Sequence, residues 1–316
     1  MHWKKQGLIY RTSGTLPNSR SHAQLPILDT NSGDSWRIYF ATRDDKNRSN
    51  ISFVDVESGN PKEIIAVNQE TVIPLGELGT FDEFGIMPLS IVDVDSDTKY
   101  LYYAGWSRKH SIPYHNAIGL AVSRDGGRTF SKAFEGPLLD ARRDEPHFTG
   151  TCCVRKEGDL WRMWYQSCTK WEVINGQPEP YYHLKYAESE DGVIWQRNGK
   201  VAIDYASETE GGICSATVLK GSNYQMWYCY RQAANYREDT NSSYRIGYAE
   251  SQNGVDWQRM DNKNIISTGP DTWDSQMVCY PNVTRYRDRL FMFYNGNGFG
   301  NTGFGYAICN DTESTT

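Results

Sequence analysis

Four acidic residues and one arginine recur along the chain at nearly constant intervals, each a few residues ahead of a strand-like segment. They are Arg20, Asp82, Glu145, Glu210 and Asp274, and successive members lie 62 to 65 residues apart. Carboxylates gathered in one cleft raise one another's pKa values, which separates a proton donor from a proton acceptor. The spacing makes Asp82, Asp274, Glu145 and Glu210 the candidate catalytic residues. In the alternative interpretation, each acid only bonds to the backbone of a neighbouring repeat.

The same period governs the aromatic strands that follow the acids. Its markers are Phe40, Tyr103, Tyr165, Tyr228 and Tyr294. A second signature, "LKYAESEDGVIWQRN" at 184–198, is nearly repeated as "IGYAESQNGVDWQRM" at 246–260. Asp-Gly and Asn-Gly supply the positive φ angles of a tight hairpin turn. A repeat of this length has room for about four strands of five or six residues with their turns.

The repeats predict an all-β fold. We expect a five-bladed β-propeller with four antiparallel strands per blade, formed by residues 1–316 as one domain. The last repeat stops near Asn310 without an outer strand, whereas the chain begins with the strand-like run "HWKKQGLIY". The N-terminal strand is therefore expected to close the last blade and to protect its edge.

Composition limits the partners and the compartment. The net charge of −6 argues against nucleic acid. No apolar run of about twenty residues is present, so no membrane partner is expected. Seven cysteines, most of them in strand-like runs, suggest free thiols and a cytoplasmic protein. His110 and His115 lack a third ligand at a diagnostic spacing, so no metal site or cofactor is predicted, although calcium in an acidic funnel is possible.

Long turns between the second and third strands suggest a binding rim for a carbohydrate. Trp106 offers a ring face for stacking on a sugar, and basic side chains offer charge to a carboxylate or phosphate. The candidate binding residues are Arg20, His22, Arg43, Trp106, Arg108, Lys170 and Arg231. Each basic residue taken alone is more typical of a solvated loop charge than of a ligand contact. Arg43 and Arg231 occupy equivalent positions in their repeats and are the better candidates.

The five repeats, the "S-x-D-G-x-x-W" turns, the second strands "MWYQS" and "MFYNGN", and the acids ahead of first strands resemble the five-bladed propeller superfamily of glycoside hydrolases, including families 43, 32 and 130. The resemblance implies carbohydrate chemistry in a central funnel, with Asp82 and Asp274 as funnel acids and Glu145 and Glu210 as partners. The first repeat departs from it. Families 43 and 32 carry Asp before Pro at this point, and here Leu25 precedes Pro26.

The resulting hypothesis is a glycoside-hydrolase-like enzyme of polysaccharide metabolism that uses funnel carboxylates on a glycosidic bond of an acidic or phosphorylated sugar. Two alternatives stay open because the usual base of the first repeat is absent. One is a non-catalytic propeller that binds or assembles glycans. The other is an enzyme of glycosyl transfer or phosphorolysis on the same fold.

Overall fold

The aromatic repeats form the second strands of successive antiparallel sheets. The computed structural model describes residues 2–31, 35–263, 265–270 and 272–310. In this part of the chain there are twenty strands and one short helical segment, α1 (Asn297–Gly300). The first strand is β1 (Lys4–Tyr10), and the others follow in sets of four or three.

The first set is β2 (Ser21–Asp29), β3 (Ser35–Arg43), β4 (Ser49–Glu57) and β5 (Asn60–Val67). The second is β6 (Gly85–Asp93), β7 (Lys99–Ser107), β8 (His115–Ser123) and β9 (Ser131–Lys132). The third is β10 (Thr149–Glu157), β11 (Leu160–Ile174), β12 (Gln177–Ser189) and β13 (Val201–Ile203). The fourth is β14 (Glu210–Lys220), β15 (Tyr224–Gln232), β16 (Arg245–Ser251) and β17 (Gln258–Arg259). The last is β18 (Cys279–Tyr286), β19 (Arg289–Asn295) and β20 (Phe304–Asn310).

Within each set, consecutive strands pair antiparallel, which confirms the predicted all-β class. One parallel bridge joins β4 to β6 at Ser49 and Gly85, and another joins β12 to β14 at Tyr182 and Gly212. The described strands therefore form two eight-stranded sheets and one four-stranded sheet. The five aromatic marker residues are fully buried. Their rings pack between neighbouring sets of strands.

The N-terminal strand pairs with the last strand of the chain, as the sequence predicted. β1 runs antiparallel to β20, with Lys4 opposite Ile308 and Leu8 opposite Gly305. Trp3, just ahead of β1, is buried and packs edge-to-face on Trp227 with ring centroids 6.0 Å apart. The first residues thus complete a four-stranded sheet whose other strands lie about three hundred residues later.

The first strands of neighbouring sets are joined by side-chain hydrogen bonds. The Val154 amide donates to Ser90 Oγ at 3.0 Å, and the Ser215 amide donates to Thr151 Oγ1 at 2.7 Å. Thr217 Oγ1 donates to the Pro281 carbonyl at 2.6 Å. Each first strand also contains a shift in its pairing register, as expected for a β-bulge. Such bulges redirect the side chains near them.

One predicted loop is instead regular structure. The sequence predicted an irregular turn soon after Tyr165. Instead, β11 and β12 continue as a paired hairpin as far as Ile174 and Gln177. Asn175 and Gly176 form its tip, with φ angles of 52° and 77°, which suit a two-residue hairpin. No helix among the described residues is long and apolar enough to span a membrane.

Candidate functional site

A partly open cavity of about 400 Å³ lies where the first strands bulge. We call it the first-strand cavity. Each first strand contributes a wall residue at nearly the same repeat position, and these residues are Gln24, Met87, Thr151, Cys214 and Tyr280. The wall also holds basic and aromatic side chains from the ends of neighbouring strands. Among its described lining residues there is no aspartate or glutamate.

Arg43, the last residue of β3, brings a positive charge to this wall. Its Nη1 donates to the Asn47 carbonyl at 3.2 Å, and its guanidinium carbon lies 5.3 Å from the centre of the Trp106 ring. Its Nε is buried without a hydrogen-bond partner, and within the described ranges no carboxylate forms an ion pair with it. Burial lowers the pKa of Arg43, against the opposing effects of Tyr280 and Asp44. The side chain nevertheless stays charged at neutral pH.

Gln24 adds an acceptor beside this charge. It is only 7% exposed, and its Oε1 is buried without a hydrogen-bond partner. Gln24 pairs with Ala41 across β2 and β3. Since alternate residues of a strand share a face, Ala41 and Arg43 point the same way. A buried donor and a buried acceptor, neither satisfied by the described protein, therefore lie on one wall.

An aromatic side chain borders the same wall. Trp106 Nε1 donates to Ser49 Oγ at 2.6 Å, and the Trp106 ring meets Phe84 edge-to-face at 4.8 Å. The Arg108 guanidinium covers the Phe84 ring at 3.8 Å. Trp106 and Arg108 both line the first-strand cavity. These contacts hold the indole in place, as a stacking surface for a sugar ring requires.

The four predicted catalytic acids have protein partners of their own. Asp82 is 1% exposed, and its carboxylate accepts from the Tyr103 hydroxyl at 3.0 Å and from Lys132 Nζ at 2.6 Å. Asp274 accepts from the Tyr294 hydroxyl at 2.9 Å and from Lys5 Nζ at 2.5 Å. In both cases the acid ties the start of a repeat to the second and the outer strands of the same sheet.

Glu145 and Glu210 also have protein partners, but each makes only one of these two connections: Glu145 bonds to the second strand and Glu210 to the outer strand. Glu145 accepts from Tyr165 at 3.0 Å and forms an ion pair with Arg142 at 3.3 Å. Glu210 receives two hydrogen bonds of 2.8 Å from Arg259. None of the four acids lines the first-strand cavity. Each carboxylate is therefore bonded to other side chains of the fold. A catalytic role for any of the four acids stays a prediction.

The predicted binding residues divide into two groups. Arg43, Trp106 and Arg108 lie on the cavity wall, whereas Arg20, His22, Lys170 and Arg231 do not line it. Arg20 is exposed and donates to the Gly14 carbonyl, and Lys170 is exposed beside Glu172. Their placement matches the solvated-charge interpretation.

His22 and Arg231 are held inside the protein. The His22 ring shares a 2.8 Å hydrogen bond with Ser21 Oγ. Burial and the nearby Arg43 charge lower the pKa of His22 to about 4. Arg231 is 1% exposed and lies within β15, and it donates hydrogen bonds to Tyr182, Gln232 and Pro180. The turn position inferred for Arg231 is therefore wrong, because β15 continues through Gln232.

A second, wider cleft of about 670 Å³ adjoins the first-strand cavity at Pro113. Its walls come from the loop before β8, the tip of the β11 and β12 hairpin, and the segment after β15. The carboxylate of Glu179 accepts a hydrogen bond from the Tyr236 hydroxyl at 2.9 Å and also pairs with Arg237. The tip of the long β11 and β12 hairpin therefore forms part of the rim of this cleft. The sequence had suggested an irregular loop at this place.

Sequence reasoning missed most of the cavity wall, although the repeat contained the signal. Gln24, Met87, Thr151, Cys214 and Tyr280 are separated by the same period as the acids, but they stand four to six residues later. These five residues share neither a charge nor a residue type, so their spacing alone carries no chemical signature. In the described ranges, no group of three or more His, Cys, Asp and Glu side chains is arranged to hold a metal ion. Calcium binding stays a prediction.

Comparisons with known proteins place the chain among uncharacterized relatives. The Mycobacterium tuberculosis protein Rv1502 is 37% identical over 309 residues, which cover 98% of this chain and 99% of that protein. The protein MT1551 from another strain of the same organism shows the same identity and coverage. A search of protein-family profiles finds no match.

Solved structures share the fold at low identity. A structure from the GH130 family of mannoside phosphorylases and β-1,2-mannoside hydrolases aligns with a TM-score of 0.72, at 13% identity over 98% of this chain and 94% of that one. A thermostable family-43 glycoside hydrolase aligns with a TM-score of 0.64, at 19% identity over 92% of this chain and 88% of that one. The resemblance to the propeller glycoside hydrolases is confirmed at the level of the fold.

Proposed function

The chain belongs to the family that contains the Mycobacterium tuberculosis protein Rv1502, and we propose that it is a carbohydrate-active protein that binds an acidic or phosphorylated sugar in the first-strand cavity. One observation carries the proposal. The Nε donor of Arg43 and the Oε1 acceptor of Gln24 are buried on the same wall, and neither has a partner in the described protein.

The chemistry of these two atoms selects the ligand class. A buried donor or acceptor without a partner costs about 1–3 kcal/mol, and more for a charged group. A carboxylate or phosphate would satisfy the Arg43 guanidinium through charge-assisted hydrogen bonds. A neighbouring sugar hydroxyl would donate to Gln24, and Trp106 would offer its ring face. An anionic sugar supplies all three features in one small molecule.

The proposal includes the predicted propeller of five blades, spanning residues 1–316 as one domain. Side-chain bonds join β6 to β10, β10 to β14 and β14 to β18. The Leu28 amide donates to Asn282 Oδ1 at 3.0 Å and joins β18 to β2. Strand β2 in turn lies against β6. A closed ring of first strands is the arrangement that these contacts support.

The contacts favour binding over hydrolysis by paired carboxylates. An inverting glycosidase needs two carboxyl groups about 6.5–9.5 Å apart across the substrate, and a retaining one needs them about 5–5.5 Å apart. The described wall of the first-strand cavity offers amides, hydroxyls and guanidinium groups. Glycosyl transfer to phosphate is the second candidate, since Arg43 and Arg108 would hold a phosphate acceptor in the same cavity.

A cytoplasmic location is part of the proposal. All seven cysteines are free thiols. Proteins that fold in oxidising compartments commonly use disulfides, and thiols are kept reduced in the cytosol.

Isothermal titration calorimetry tests the binding proposal. The ligands are glucuronic acid, galacturonic acid, glucose 1-phosphate and glucose 6-phosphate, with glucose and mannose as neutral counterparts. We expect at least one acidic sugar to bind more tightly than its neutral counterpart. Arg43→Ala should weaken that binding about 10- to 100-fold, because a hydrogen bond to a charged group contributes about 1.5–3 kcal/mol.

The matched control is Arg20→Ala, which removes an exposed arginine outside the cavity and should leave affinity unchanged. Arg43→Lys keeps the charge but loses the planar fork, so an intermediate affinity is expected. Equal binding of neutral and acidic sugars, or full affinity in Arg43→Ala, would reject the proposal. Release of glucose 1-phosphate from an oligosaccharide in the presence of inorganic phosphate would support the transfer candidate.

A further inference from the structure

The wider cleft of about 670 Å³, which we call the hairpin cleft, is walled in part by a hairpin that the core does not require. Strand β11 ends nine residues after its aromatic marker Tyr165, whereas the other second strands end one to four residues after theirs. The added residues bury little apolar surface, since Val173 near the tip is 72% exposed. Ordering a chain segment costs conformational entropy, and the core gains little in return. The extension is therefore better explained by the cleft that it shapes.

Side-chain contacts hold the walls of the hairpin cleft together. Tyr114, in the loop before β8, packs edge-to-face on Trp171 of the hairpin with ring centroids 5.5 Å apart. At the hairpin tip, Asn175 Nδ2 donates to Asn235 Oδ1 at 3.1 Å, which joins the tip to the segment after β15. Walls that are already in place lose less entropy when a ligand binds. The hairpin cleft is therefore preorganised.

The hairpin cleft and the first-strand cavity are neighbouring openings. Pro113 lines both of them, and the next residue, Tyr114, continues along the wall of the first-strand cavity. Their volumes are about 670 and 400 Å³. Each lies within the range of about 300–1,000 Å³ that is typical of small-molecule sites. Together they suit a ligand that is longer than one sugar.

The two openings differ in charge. Arg43 and Arg108 line the first-strand cavity, and its described lining residues include no aspartate or glutamate. In the hairpin cleft two cations face two carboxylates, with His110 as a further titratable side chain; the four charged residues are Lys109, Arg237, Glu179 and Glu238. Balanced charges give no preference for an anion. Exposed amides on the same walls, at Gln177 and Asn235, suit the hydroxyl groups of a neutral sugar.

We propose that the protein binds an oligosaccharide that ends in one acidic sugar, with that sugar in the first-strand cavity and the neutral units in the hairpin cleft. This inference rests on the proposed function of the first-strand cavity. The linkage between the two parts of the ligand passes Pro113. A second acidic unit would lie among carboxylates as well as cations, so its charge would add no affinity.

Isothermal titration calorimetry of the full-length chain tests the proposal by comparing ligand lengths. The probes are glucuronic acid and the disaccharides in which it caps glucose, galactose or xylose, together with glucose 1-phosphate and maltose 1-phosphate. We expect at least one of these disaccharides to bind about tenfold more tightly than its acidic monosaccharide, because the added unit makes new hydrogen bonds. Digalacturonic acid should bind no more tightly than galacturonic acid.

Two variants locate the added affinity. The first lacks residues 172–174 and 177–179, so that Asn175 and Gly176 form a turn between Trp171 and Pro180, which already pair across β11 and β12. It should bind the disaccharide only as tightly as the monosaccharide, whose affinity should not change. The milder Gln177→Ala should weaken disaccharide binding about threefold. Gln252→Ala, an exposed glutamine outside both openings, is the matched control and should leave both affinities unchanged.

Equal affinity for the monosaccharides and for every disaccharide would overturn this inference. So would full disaccharide affinity in the shortened variant, once circular dichroism shows that it is folded; if it does not fold, full disaccharide affinity in Gln177→Ala has the same meaning. Arg43→Ala separates the two proposals. If acidic monosaccharides bind and depend on Arg43 but no disaccharide gains affinity, the hairpin-cleft inference fails and the proposed function stands. If no acidic sugar of either length binds, both fail.

Discussion

The Tyr294 hydroxyl donates a 2.9 Å hydrogen bond to the carboxylate of Asp274. The same relationship recurs between Tyr103 and Asp82 at 3.0 Å. In the first repeat the aromatic marker is Phe40, which has no hydroxyl, and the acid position holds Arg20. The tyrosine and the acid are therefore absent together. The fourth repeat departs from this pairing, because Tyr228 donates to Asp261 and Glu210 bonds to Arg259.

Replacing Asp274 with asparagine should reduce stability. The carboxylate pairs with Lys5 in a largely buried site, and removing one partner of a buried ion pair costs about 3–5 kcal/mol. Urea unfolding at pH 7 measures this change. Asp288→Asn, which alters an exposed turn, is the control and should stay within about 0.5 kcal/mol of wild type. Loss of carbohydrate turnover at unchanged stability would instead support a catalytic Asp274.

The contribution of Asp274 should depend on pH. Burial alone would raise its pKa, but hydrogen bonds from Lys5, Thr272 and Tyr294 lower it below the ordinary value. The stabilisation is therefore fully present above the pKa of an unfolded aspartate, about 3.9, and is lost as pH falls through the lower folded value. The stability difference between wild type and Asp274→Asn should therefore shrink as pH falls below the unfolded value of about 3.9. A constant difference down to pH 2 would contradict this assignment.

His22 should make the protein less stable in mild acid. Its folded pKa is lowered to about 4 by burial and by the Arg43 charge, whereas the unfolded value is about 6.5. Its stabilising contribution is complete above the unfolded value and is lost as pH falls through the folded one. NMR titration should show a neutral His22 ring at pH 5.5. His22→Asn should weaken the fall in stability between pH 6.5 and 4, and the exposed His2→Asn should not.

Removing residues 1–10 should lower the melting temperature strongly. The deletion exposes the edge of β20 and removes the packing of Trp3 on Trp227. It also leaves Asp274 without Lys5. Differential scanning fluorimetry measures the loss, and the point variant Lys4→Ala, at an exposed position of β1, is the control. A truncated chain with the melting temperature of wild type would show that β1 contributes little to the stability of the fold.

Gln24→Glu should weaken binding of an acidic sugar about tenfold or more. The substitution keeps the side-chain shape but places a negative charge beside Arg43, which neutralises the anion site and repels the ligand. Calorimetry with the acidic sugar that binds wild type checks this. Gln6→Glu, at a half-buried position of β1 outside the cavity, is the control. Unchanged affinity in Gln24→Glu would show that Gln24 does not contact the bound sugar.

The periodic features of this protein can be read from its amino-acid sequence alone. The aromatic markers, the Asp-Gly turns and the strand-like first residues predicted an all-β chain whose β1 pairs with its last strand. These features were readable because strand alternation and turn chemistry act over a few residues. Arg43, Trp106 and Arg108 were also identified, since they stand near strand ends on one side of the repeats.

The repeat position that faces the cavity is set by long-range strand pairing and cannot be read from local sequence. Each first strand contains a register shift at or next to its cavity residue, and such a shift changes which side chains share a face. Asp82 and Asp274 meet Lys132 and Lys5, whereas Gln24 reaches the cavity. The burial of Arg231 likewise depends on Tyr182, which lies 49 residues earlier in the chain, and local sequence does not encode such a contact.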